Sequence, residues 1–152
     1  MAPTALTVHV VTVKDDEMTT PFDDPQAELA WMFLQSLCED GDLDEGFGLL
    51  SDDFTYWNNT TRTSSGKPEL RALYEWRKAI VELNYDLIGC LNDGQSVMVE
   101  AQAEGTTTAG VRYDSPMVFI LETNDGLITS LREYGDTQLN IDAFGAATTT
   151  PR

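Results

Sequence analysis

Between Pro25 and Gly41, apolar side chains fall three and four positions apart: Ala27, Ala30, Trp31, Leu34, Leu37 and Cys38. That spacing puts them on one face of an α-helix. Asp24 is placed to cap its start, Pro25 suits the first helical position, and Gly41 lies just past its end. A second, short helix is predicted from about Leu43 to Leu50, with Asp42 as cap and Phe47 and Leu50 as apolar contacts. Gly66-Lys67-Pro68-Glu69 opens a third, along which Leu70, Leu73, Tyr74, Arg77 and Ile80 keep helical spacing. Between the second and third helices, Phe54-Thr55-Tyr56-Trp57-Asn58-Asn59 reads as a strand. Strand side chains alternate, so Tyr56 and Asn58 share one side, where a phenol and a carboxamide can hold a water or a substrate oxygen.

After the third helix the period changes from helix to strand. Tyr85 to Leu91 and Ser96 to Gly105 flank Asn92-Asp93-Gly94-Gln95, and Met117 to Glu122 and Leu127 to Tyr134 flank Thr123-Asn124-Asp125-Gly126. Both are strong hairpin signals. Helices first and a meander afterwards predict an α+β domain in which a curved antiparallel sheet is covered by three helices from the amino-terminal half. Such a sheet encloses an apolar cup. Leu6 to Val13 alternate loosely, so residues 1–20 read as an extension able to supply an extra edge strand. The domain spans residues 21–145, and residues 146–152 form a Thr-rich tail.

With 152 residues and 41% apolar content, the chain suits one domain with a real core. Its formal charge of -17 repels phosphate backbones and anionic lipid, which removes nucleic acid and membrane surfaces as expected partners. Two cysteines, Cys38 and Cys90, are too few for a secreted disulfide scaffold and read as buried thiols. No run has the length of a membrane span and the start lacks a basic signal region, so a cytoplasmic protein is expected.

Several chemistries drop out. The one histidine, His9, lies in the extension, so the main domain can build neither a His-containing triad nor a His-based metal site. Carboxylate-only sites for hard cations stay open, and no metal ligand is assigned. Gly46-Phe47-Gly48 lacks a third glycine and follows a helix start, so it is no nucleotide-binding loop. Cys38 has no basic neighbour in sequence and reads as core. Carboxylates, phenols and amides around an apolar cup remain, which suits acid/base chemistry without a cofactor.

The order of helix, Asp-Gly-Asp-Leu turn, Leu-Leu-Ser-Asp-Asp-Phe, Gly-Lys-Pro-Glu-Leu helix and a meander ending in Asp-Gly-Leu-Ile-Thr-Ser-Leu-Arg-Glu-Tyr-Gly-Asp-Thr resembles the nuclear transport factor 2-like superfamily over residues 22–145. More narrowly it resembles the SnoaL-like and limonene epoxide hydrolase branches. The resemblance implies a cone-shaped, cystatin-like α+β barrel, a homodimer, and a hydrophobic cyclic substrate of terpenoid, polyketide or steroid-like type from secondary metabolism. The epoxide hydrolase branch carries Tyr-x-Asn where this chain has Tyr56-Trp57-Asn58, and an aspartate on the last strand where this chain has Glu133. By resemblance these three hold and deprotonate an attacking water. That branch also carries an Arg-x-Asp pair, which orients and protonates the epoxide oxygen. Here the matching place reads Glu100-Ala101-Gln102-Ala103-Glu104, without arginine. Glu100, or Glu104 in a shifted register, becomes the candidate acid, and Gln102 the partner of the leaving oxygen. Trp31, Leu34, Trp57 and Met117 are expected to line the substrate cup. In the ketosteroid isomerase branch, Asn58 stands in place of the catalytic aspartate and Leu34 in place of the oxyanion tyrosine; an amide cannot abstract a proton at neutral pH, so that mechanism lacks its base.

The expected reaction is therefore epoxide hydrolysis or epoxide-opening cyclisation. The alternatives are a cyclase, isomerase or dehydratase without epoxide chemistry, or a non-catalytic ligand-binding domain. Plain structural roles compete residue by residue: Tyr56 and Asn58 as a half-buried strand pair, and Glu100 and Glu104 facing water opposite Val97, Val99, Ala101 and Ala103. Convergence of Glu133, Tyr56, Asn58 and one of Glu100 or Glu104 on one pocket separates these readings.

Overall fold

The structure, a computed structural model, describes residues 23–145 and the backbone of residues 9–11. The elements run β1 (His9–Val11), α1 (Pro25–Ser36), α2 (Leu43–Phe47), β2 (Leu50–Asn58), β3 (Ser64–Gly66), α3 (Lys67–Ile80), β4 (Val81–Asn92), β5 (Ser96–Thr107), β6 (Arg112–Asn124), β7 (Leu127–Tyr134) and α4 (Thr137–Phe144). The strands form one sheet in the order β1-β4-β5-β6-β7-β2-β3. β2 runs parallel to β7 and every other pairing is antiparallel. The fold is α+β with a curved sheet that stays open, β1 and β3 being its two edges. The expected cone therefore lacks barrel closure.

Local chemistry explains the boundaries. Asp24 Oδ1 accepts from the backbone N–H groups of Gln26 and Ala27 at 2.9 and 3.4 Å, satisfying donors that the first turn of α1 leaves bare. Asp42 does the same for α2. That helix stops at Phe47 rather than Leu50, because Leu50 pairs with Ile128 and already belongs to β2. α3 passes into β4 without a loop, so β4 begins at Val81, four residues before the predicted strand. β6 begins at Arg112 and continues through Pro116, which sits opposite Gln102. β3 and α4 were not predicted; Asp136 caps α4 through the N–H groups of Gln138 and Leu139.

The concave face of the sheet carries the core. Val97, Val99, Ala101 and Ala103 of β5 are buried, as their alternation predicts, and meet Met117, Phe119 and Leu121 of β6. Phe33, Leu34 and Leu37 of α1 and Leu70 and Tyr74 of α3 close over this face. In β7, Leu131 lies opposite Leu121 and Glu133 opposite Phe119. Since Phe119 and Leu121 both point inward, this register sends the Glu133 side chain into the core and leaves Tyr134 facing outward. Among the described residues no helix is long and apolar enough to cross a membrane.

Phe119 is wholly buried, with its ring 5.1 Å from that of Tyr85 and its backbone paired with Glu133. Phe119→Ala is expected to lower stability by about 3–5 kcal/mol, read from the urea midpoint, because the rigid sheet cannot collapse into the space.

Candidate active site

Glu133 is 4% exposed, and both carboxylate oxygens are engaged by the protein. Oε2 accepts from the Tyr56 hydroxyl and lies 3.6 Å from Arg77 Nη1, while Oε1 accepts from the Tyr74 hydroxyl at 3.1 Å. β2 and β7 position Tyr56 and Glu133, whose strands are neighbours with Asn58 opposite Glu133. α3 supplies Tyr74 and Arg77, three residues apart and hence on one face of the helix. Asn58 Nδ2 donates to the Tyr56 oxygen at 3.1 Å, and Asn58 Oδ1 accepts from the N–H groups of Thr60 and Thr61 at 2.9 and 2.8 Å. That carboxamide ties the phenol to the turn leaving β2.

Arg77 is 5% exposed, and its guanidinium packs over two rings, 5.2 Å from the Tyr74 centroid and 4.9 Å from that of Phe144. Its Nε is buried without a hydrogen-bond partner. The Phe144 ring also meets Tyr113 and Trp76, at 5.2 and 5.9 Å. Tyr113 donates to Asn140 Oδ1 at 2.5 Å, and Asn140 Nδ2 donates to Thr60 Oγ1 at 2.8 Å, so α4 is latched over the cluster.

Burial, and after it the charge of Glu133, pushes the Tyr56, Tyr74 and Tyr85 phenols well above their ordinary range. They remain neutral donors. For Arg77 burial opposes the charged form, but the adjacent Glu133 more than offsets it and holds the guanidinium above its already high value. Burial likewise raises the Cys38 thiol to about 11, so it stays protonated and chemically quiet in the core.

The water-handling trio expected from the sequence, Tyr56, Asn58 and Glu133, does come together. The expected acids do not join it. Glu100 and Glu104 are exposed on the opposite face of β5, because Val99, Ala101 and Ala103 take the inward positions. Gln102 shares that outer face and donates to Asp114 Oδ1 at 2.8 Å. Trp57 also points outward, its ring tilted against that of Tyr134 at 5.2 Å and lining a hollow with Thr55, Ser130 and Arg132. A second hollow lies beside Pro25, Gln26 and Gly94, and neither touches Glu133. Leu34 and Met117 are buried core, and Trp31 is a half-buried residue packed against it. Two site residues were passed over: Tyr74 and Arg77, read as members of the α3 stripe. An arginine within an apolar helical stripe was the available signal, since a buried guanidinium demands a counter-ion. Among the described residues no cluster of three or more His, Cys, Asp or Glu side chains is arranged to hold a metal.

An open curved sheet covered by helices, with a buried carboxylate among phenols, defines the class. The chain belongs to the SnoaL-like domain family, whose model matches residues 32–131. Among solved structures it is similar to a nuclear transport factor 2-like protein from Burkholderia xenovorans LB400, at 21% identity over 78% of this chain and 95% of that one, TM-score 0.67. A proposed polyketide cyclase from Xanthomonas campestris matches at 17% identity over 78% and 96%, TM-score 0.69. A limonene-epoxide-hydrolase-like epoxide hydrolase of Mycobacterium tuberculosis matches at 22% identity over 78% and 84%, TM-score 0.66. Identities at this level carry the fold and not the reaction. Comparison with curated proteins gives no match.

Two expectations follow. Arg77→Met leaves Glu133 buried without its counter-ion and should cost about 3–5 kcal/mol, whereas adding Glu133→Gln to that variant should recover part of the loss, measured as urea midpoints at neutral pH. The raised phenols bind protons more tightly folded than unfolded, so their contribution is complete at neutral pH. It is lost as pH rises above the ordinary tyrosine value of about 10. Denaturation midpoints taken between pH 8 and 11 should fall at the alkaline end, and should fall less for Tyr74→Phe.

Proposed function

We propose that the protein is a cofactor-independent acid/base enzyme that opens epoxides on hydrophobic ring compounds, with Glu133 as general base. One observation carries the reading: Glu133, Tyr56, Tyr74 and Arg77 converge inside an apolar interior. A water seated by Tyr56 and Asn58 gives its proton to Glu133, and its oxygen attacks a ring carbon of the epoxide. The carbon–oxygen bond on that carbon breaks, and the released oxygen carries negative charge beside Arg77. The proton on Glu133 then passes through the Tyr74 hydroxyl to that oxygen. One water is added, nothing is released, and neither oxidant nor reductant is consumed. A hydroxyl within the substrate can replace the water, which turns hydrolysis into cyclisation with the same groups.

Arg77 and Tyr74 take over what the strand position of Glu100 and Gln102 was expected to do. A guanidinium stabilises a developing oxyanion in a dry site without giving up a proton, and the neighbouring phenol supplies the proton path. The epoxide hydrolase and the proposed polyketide cyclase among the structural neighbours fit a substrate of this class. A second reading, ligand binding without chemistry, is favoured by the engagement of both Glu133 oxygens by protein donors and by two surface hollows lined by none of Glu133, Tyr56, Tyr74 and Arg77.

Incubation with cyclic and aryl epoxides in heavy-oxygen water separates the two. The expected product is a diol carrying one labelled oxygen, formed about a hundredfold more slowly by Glu133→Gln and about tenfold more slowly by Tyr74→Phe, each variant first checked as folded by circular dichroism. Equal rates for wild type and Glu133→Gln, or no turnover of any epoxide, would overturn the enzyme reading.

A further inference from the structure

Arg77 is the least satisfied polar group near the site. Its Nε is buried without a partner, and its contact with Glu133, at 3.6 Å, is longer than a hydrogen bond. Buried donors in native proteins are nearly always paired, so an orphan of this kind marks a place where another acceptor belongs. The guanidinium also packs over two aromatic rings, Tyr74 of α3 and Phe144 of α4. Tyr74 is fixed by its bond to Glu133. Phe144 is the last residue of an eight-residue helix, followed by Gly145 at φ 71° and latched by Asn140 to Tyr113 and Thr60. Releasing that latch breaks two side-chain hydrogen bonds and leaves every strand pairing intact.

We propose that Phe144 occupies the seat of the substrate's own ring: the ligand is a flat, neutral aromatic ring bearing an acceptor oxygen, which packs against Arg77 in the place of Phe144 and accepts from its Nε when α4 swings aside. The proposal rests on the reading of the site as one for hydrophobic ring compounds and narrows it. Neutrality follows from the charges present. Arg77 is already matched by Glu133, so an anionic ligand would bury a second negative charge beside the first, within a protein of net charge -17. Aromaticity follows from the geometry, since a saturated ring offers no π-face to replace that of Phe144.

Equilibrium dialysis with four probes tests this without turnover: 2-acetonaphthone, 2-ethylnaphthalene, 2-naphthoate and cyclohexyl methyl ketone. Wild type is expected to bind 2-acetonaphthone about tenfold more tightly than each of the other three, reflecting in turn the oxygen, the charge and the ring. Phe144→Ala should tighten 2-acetonaphthone about tenfold by vacating the seat. Arg77→Lys keeps a positive charge beside Glu133 but loses Nε and the planar face, and should erase the preference for 2-acetonaphthone over 2-ethylnaphthalene. If Phe144→Ala does not fold, Phe144→Leu carries the same comparison, with tightening again expected. Equal binding of 2-acetonaphthone and 2-ethylnaphthalene by wild type, a preference that survives Arg77→Lys, or no binding by any variant would overturn the proposal. Arg77-dependent binding with no epoxide turned over would sink the epoxide reaction and leave this seat standing. Turnover of saturated cyclic epoxides without the ketone preference would do the reverse.

Discussion

A carboxylate can be kept inside an apolar core only if a counter-ion and several donors are kept there with it. Glu133 imposes that requirement, and much of the architecture around it answers. Tyr56 on the neighbouring parallel strand, Tyr74 and Arg77 on the covering helix, and Asn58 behind Tyr56 are joined through this one side chain. The network spans β2, β7 and α3, so it fixes how the third helix docks on the sheet as well as what chemistry the interior can perform. α4 is drawn in by the same centre, since Phe144 covers the guanidinium that Glu133 requires. Moving Glu133 to the outer face would leave Arg77 as an unpaired buried cation.

The parts legible in the sequence are those governed by short-range rules. Asp24 and Asp42 cap the helices they precede, Asp93-Gly94 and Asp125-Gly126 turn the two hairpins, and the alternation along Val97 to Gly105 gives the inward face correctly. The inward direction of Glu133 is different in kind. Leu131 and Tyr134 imply opposite parities for it, and only the pairing with Phe119 and Leu121 across the sheet decides between them. α4 was missed because its amphipathic signal is short and its anchor, Asn140 to Tyr113, joins residues far apart in sequence.

The candidate acid is the instructive error. Alternation alone assigns Glu100 and Glu104 to solvent, and the burial pattern agrees. Family resemblance argued for the cup because an Arg-x-Asp pair occupies the matching strand elsewhere, and the local rule prevailed. An arginine does reach the buried carboxylate, but from another element: Arg77, within the α3 stripe. Charged residues in an apolar stripe carry more information about a buried site than charged residues on an alternating strand, because desolvation makes the first arrangement costly and the second nearly free.

Placing the cation on a helix instead of a strand changes what the site can do. A strand-borne arginine would be held by ladder hydrogen bonds on both sides, at a set distance from the base on β7. Tyr74 and Arg77 share one turn of α3, and both bond or pair with Glu133, so a shift of α3 against the sheet alters both contacts in a single motion. Both Glu133 oxygens are engaged by phenols, and the side chain is buried beneath the helices. Access and hydrogen bonding are thereby coupled: whatever displaces Tyr56 or Tyr74 to reach Glu133 also removes one of the donors that hold its carboxylate.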